Sequence, residues 1–126
     1  MKILLHISNQ LIGEGIKQLL NKNGFDQVAI MNKSMDGFKP EIVIVDSKTI
    51  NDNVFTLYPE AKILLMDTGL GQDNLMVLLL SYKIHGILST RMEAHLLKKA
   101  IQVVSEGQIW IDNNTVKSCL HNAGML

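Results

Sequence analysis

Apolar runs of strand length alternate along this chain with stretches of helical period. Ile3-Leu4-Leu5 is short enough for a strand, and Leu11, Ile12, Gly15, Ile16, Leu19 and Leu20 then recur at the spacing of one helix face. Asn23-Gly24 stops that helix, with glycine suited to the left-handed position after a helix end. Val28–Met31 is a second strand. Ile42-Val43-Ile44-Val45 is β-branched throughout, as in a central strand buried on both faces, and Pro40 marks its entry. Ile63–Met66 is a fourth strand after Pro59, followed by a helix from about Asn74 to Lys83 and a short fifth strand, Gly86-Ile87-Leu88. A helix from about Glu93 to Ser105 turns Leu96, Leu97, Ala100, Ile101 and Val104 inward and stops at Gly107, with Trp110 as a buried anchor for the last helix. Asn113 or Asn114 caps that last short helix, through about His121.

Continuous rather than alternating apolar strands, interleaved with helices, predict an open, doubly wound α/β fold: five parallel strands with helices on both faces. The intervals 32–39 and 47–58 are weakly periodic, so the second and third helices are shortened to a turn or two each. Residues 1–112 form the domain, and 113–126 a helical tail or the start of a linker.

Composition narrows the function. The 12 basic and 12 acidic side chains cancel, which leaves no basic footprint for nucleic acid. One cysteine, Cys119, excludes an intrachain disulfide and any multi-cysteine zinc site. The apolar start ends at His6, too short for an export signal, and Leu75–Leu80 is far below the ~20 residues that span a bilayer. A cytoplasmic protein without membrane contact is expected.

In an open parallel sheet ligands bind beyond the carboxyl ends of the strands. The residues standing there are His6, Ile7 and Ser8; Asp46 and Ser47; Asp67 and Thr68; and Ser89, Thr90 and Arg91. Asp46 directly follows four buried β-branched residues. His6, His85, His95 and His121 share no metal-ligand spacing, the serines lack a nucleophile-elbow context, and Gly69-Leu70-Gly71 lacks the lysine and spacing of a phosphate loop. These absences argue against an enzyme.

The chain resembles the receiver domain of bacterial two-component response regulators, in the NarL/LuxR-type branch. The resemblance rests on Leu11–Ile16, on Pro40–Asp46, on Gly86-Ile87-Leu88 with Leu96–Ile101, and above all on Val104–Trp110. It implies the flavodoxin-like strand order 2-1-3-4-5 and places Asp46 as the phosphoacceptor. Further, it puts a Mg²⁺-holding acidic pair at Ile7 and Ser8, and a phosphoryl-pairing lysine at Thr90. The hydroxyl that reads the phosphoryl group falls on Thr68, or on Asp67 if the count runs forward from Pro59.

Neither Ile7 nor Ser8 supplies a carboxylate, and Thr90 carries no charge, so Mg²⁺ loses its anchor and the phosphoryl group a cation. The expectation is a degenerate receiver, a signalling module that works through protein contacts without phosphorylation and needs no metal or other cofactor, Mg²⁺ entering only if Asp46 still works. Asp46 is then either a working acceptor, in an unusual Mg²⁺ site with Asp67, Thr68 and Arg91, or a remnant that accepts backbone N–H bonds.

Six consecutive apolar residues run right round a helix, so part of Leu75–Leu80 stays at the surface. Leu75, Met76, Leu78 and Leu79 are taken as the interface of a homodimer through this fourth-helix region. A histidine kinase or another signalling protein is the other partner implied. These 126 residues leave no room for the helix-turn-helix output domain usual in this branch.

Overall fold

The computed structural model describes residues 1–32 and 37–111. Its strands are β1 (Lys2–His6), β2 (Gln27–Ile30), β3 (Ile42–Val45), β4 (Lys62–Asp67), β5 (Gly86–Ser89) and β6 (Trp110–Ile111). The helices are α1 (Gln10–Lys22), α2 (Asp52–Leu57), α3 (Gln72–Ser81) and α4 (Ala94–Ser105). All pairings are parallel, in the order β2-β1-β3-β4-β5-β6.

The first five strands keep the expected order, and a sixth is added. The isolated Ile109-Trp110-Ile111 is too short to register as a strand in sequence, yet its Trp110 and Ile111 pair along β5. Trp110 is a half-buried residue of this strand, packed on the main core. The helix expected from Asn113 or Asn114 to His121 lies outside the described residues, as do residues 33–36 of the interval 32–39.

Alternation along the strands divides the core into two layers. Ile3, Leu5, Ile42, Ile44, Leu64, Met66 and Leu88 face α1 and α4. Leu4, Val43, Val45, Ile63, Leu65 and Ile87 face α2 and α3. Every residue of β3 is fully buried, which explains its β-branched, wholly apolar sequence. Each such side chain stabilises the fold by about 1.5–3 kcal/mol on burial.

Local chemistry sets the helix ends. The Asn9 side chain accepts a bond from the Ile12 N–H to start α1, and Asn51 does the same for α2 through Val54. Gly24 and Gly107, both at φ +93°, let the chain leave α1 and α4 while Phe25 N–H donates to Leu20 O and Gln108 N–H to Val103 O. Helix α3 starts two residues earlier than expected, at Gln72, and ends at Ser81 because Tyr82 is extended.

Packing also fixes the phase of α3. Leu75 is 1% exposed and points into the core, and Met76, Leu78 and Leu79 are half-buried against the same layer. The open side of the helix is instead Val77 and Leu80, at 60% and 65% exposure. A run with no polar residue carries no phase of its own, so the sequence pointed to the covered face.

Candidate functional site

Strands β1 and β3 end side by side, and the residues just past them form one closed cluster around Asp46. The side chain is 1% exposed. Its Oδ2 accepts the Ser8 N–H at 2.7 Å and the Ser8 hydroxyl at 2.6 Å. Its Oδ1 accepts the N–H groups of Lys48 at 2.9 Å and Thr49 at 3.0 Å. A carboxylate has about four acceptor positions, and all four are filled. Burial raises the carboxyl pKa, but the bonds from Ser8, Lys48 and Thr49 together outweigh it and hold the group below its ordinary range. Asp46 is an anion at neutral pH.

Thr49 completes the cluster. Its hydroxyl donates to the His6 carbonyl at 2.6 Å and accepts the Asp46 N–H at 2.9 Å, tying the β3 loop back to β1. Burial lowers the His6 pKa and the Asp46 charge offsets only part of that, so the ring is neutral. Its Nδ1 is buried without a partner among the described residues.

The Thr49 clamp was missed from sequence, although an aspartate at a strand end followed by Ser47, Lys48 and Thr49 is a recognisable side-chain-to-backbone turn signal. No pattern announced the Ser8 bond, which is made 38 residues apart in the chain.

The other expected site residues stand elsewhere. Ile7 packs into the core layer beneath α1 and offers no ligand. Asp67, the last residue of β4, accepts the N–H groups of Gly69 at 3.0 Å and Leu70 at 2.9 Å, so it closes its own loop. Thr68 and Thr90 are exposed and, with Ser89, line a cleft beside α1. Arg91 is exposed, and its N–H donates to the Ser89 hydroxyl.

The residues at the acceptor end do not fit Mg²⁺. One position is apolar, one is a hydroxyl already given to Asp46, and the single carboxylate has no lone pair left. Among the described residues no three His, Cys, Asp or Glu side chains gather as a metal site. No described helix is long and apolar enough to cross a membrane.

No protein-family model matches this sequence, and no curated protein matches it either. Solved structures do. A LuxR-family two-component response regulator from Aurantimonas sp. SI85-9A1 has a TM-score of 0.76 at 15% identity, over 99% of this chain and 98% of that one. The isolated REC domain of RcsB from Salmonella enterica serovar Typhimurium, in the presence of phosphomimetic BeF3−, has 0.70 at 14% identity, over 94% and 96%. The chain has the receiver-domain fold. RcsB from the same serovar bound to promoter rprA matches with 0.72 at 15% identity, this receiver fold spanning 96% of the present chain and 68% of that longer one.

Proposed function

We propose that this chain is a receiver-type signalling module of the response-regulator kind that acts without phosphorylation. The observation that carries this reading is the closed Asp46. An acceptor aspartate attacks phosphorus with a carboxylate oxygen, so it needs a free lone pair, access for the donor and neutralisation of the incoming charge. Here both oxygens are fully bonded, the side chain is 1% exposed, and neither a second carboxylate nor a lysine stands at the family's positions.

Ser8 has a direct physical role in this. Where the family resemblance places an acid, its hydroxyl donates to Asp46 and so replaces a metal-bridged pair of like charges by a charge-assisted hydrogen bond. The cluster becomes a structural clasp between β1 and β3. The alternative of a working acceptor helped by Asp67, Thr68 and Arg91 has less support, since Asp67 is engaged by its own loop.

Signalling then runs through protein contacts. The exposed Val77 and Leu80 of α3 form an apolar surface suited to a two-fold homodimer or to another signalling protein. Dimers of RcsB are bound to DNA in one structural neighbour, in line with a transcriptional role when such a module is joined to an output domain. Cytoplasmic placement and the absence of enzymatic activity belong to the same reading.

Titration of the ¹⁵N-labelled chain with Mg²⁺ and beryllofluoride tests the clasp. No saturable shift of the Ser8, Asp46 or Thr49 amides is expected. Saturable shifts confined to those amides would show a competent phosphoryl pocket.

A further inference from the structure

A cleft of about 310 Å³ opens between α1 and the carboxyl ends of β4 and β5. Its size falls at the lower end of small-molecule sites, about 300–1,000 Å³. The floor is buried core: Ile16, Met66 and Leu97. Half-buried Ile12, Leu19 and Met92 form the walls. At the rim stand three hydroxyls, Thr68, Ser89 and Thr90, and no charged side chain lines the cleft among the described residues.

A second observation points to an occupant. Gly15 lies mid-way along α1 and lines the same cleft. A Cβ added there would meet nothing within 4 Å, so the packing of this chain does not require glycine. Glycine inside a helix is destabilising relative to alanine, and it leaves the backbone bare for close approach.

We propose that this cleft binds a small uncharged amphiphile with a flat apolar body and one hydroxyl or carbonyl group. The body lies on the apolar floor and walls and against the bare backbone at Gly15. The polar group bonds to the Thr68, Ser89 and Thr90 hydroxyls. Thr68 and Thr90 belong to the loops after β4 and β5, and Ser89 ends β5, so occupancy changes the segments leading into α3 and α4. Binding itself stands on the cleft; its place as the signalling input rests on the phosphorylation-independent reading above.

The probe pair is 1-naphthol and 1-methylnaphthalene, of similar shape but with and without a hydroxyl, read by amide shifts of the full chain. Saturable shifts at Gly15, Thr68, Ser89, Thr90 and Leu97 are expected with 1-naphthol, several-fold weaker with the hydrocarbon. Thr68→Val with Thr90→Val should narrow the difference between the two probes, because only the Ser89 hydroxyl remains. Gly15→Leu should abolish binding of both while unfolding at the same or a higher denaturant concentration.

The proposal is overturned by an absence of saturable shifts up to the probes' solubility, by shifts centred elsewhere, or by undiminished binding to Gly15→Leu. It is also overturned if the same amides shift with protein concentration alone, because a second copy then fills the cleft. Probe binding together with phosphoryl uptake at Asp46 would keep this site and defeat the phosphorylation-independent reading; neither binding nor uptake would defeat this site alone.

Discussion

Replacing Ser8 by alanine removes one of four donors from a buried carboxylate. The lost bond is 2.6 Å long and ends on an anion that is 1% exposed. Hydrogen bonds to charged groups contribute about 1.5–3 kcal/mol. The Ser8 N–H still serves the same oxygen, so Oδ2 is not orphaned and a value of about 2 kcal/mol applies at neutral pH. With an unfolding entropy of ~2.1 cal/mol/K per residue, a chain of 126 residues loses about 8 °C in Tm. The deficit also depends on pH. The folded Asp46 pKa lies below its ordinary 3.8, so its bonds contribute stability above that value, which is lost as pH falls through the folded pKa. Removing a donor raises the folded pKa, so variant and parent converge in acid. Urea unfolding followed by circular dichroism at neutral pH and below 3.8 measures both effects. A variant within ~0.3 kcal/mol of the parent at neutral pH, or an equal deficit at both, would refute the clasp.

Four further outcomes are expected. Ser8→Asp sets two carboxylates within hydrogen-bond reach, so it should destabilise more than alanine at neutral pH and recover with millimolar Mg²⁺, read as a Tm shift. His85 accepts the Ile63 N–H at Nδ1 and is held neutral by burial and by the charges of Lys62 and Lys83, and His6 is neutral too. The unfolded chain protonates both first, so unfolding free energy should be level above about pH 6.5 and decline below it, with a shallower decline in His85→Gln. Gly86→Ala would bring its Cβ to 2.7 Å from both Leu64 Cδ2 and the Trp110 carbonyl, where strands cannot rotate away, and should cost about 1–3 kcal/mol in urea unfolding. Val77→Ser with Leu80→Ser should leave stability within ~0.5 kcal/mol per site and weaken self-association in sedimentation equilibrium.

How much was legible depended on whether the signal was local. The unbroken β-branched Ile42–Val45 announced a central parallel strand, and the inward stripe of α4 gave its buried face, Leu97, Ala100, Ile101 and Val104. Leu75–Leu80 gave no such face, because a six-residue run without a polar residue has no phase until tertiary packing selects Leu75 as its inner side. Strand β6 was missed since two residues carry no period, and its pairing comes from the exposed edge of β5. At the site, that Ile7 and Ser8 carry no carboxylate could be read directly. What could not be read was that Ser8 turns its hydroxyl on Asp46, or that Thr68 and Thr90 face α1 across a separate cleft. Both follow from long-range register between strands.

The central claim is that Asp46 takes no phosphoryl group, and intact mass after incubation with Mg²⁺ and acetyl phosphate tests it directly, beside an Asp46→Asn control. An unchanged mass in both is the predicted result. A gain of one phosphoryl group in the parent chain, absent from the control, would contradict it.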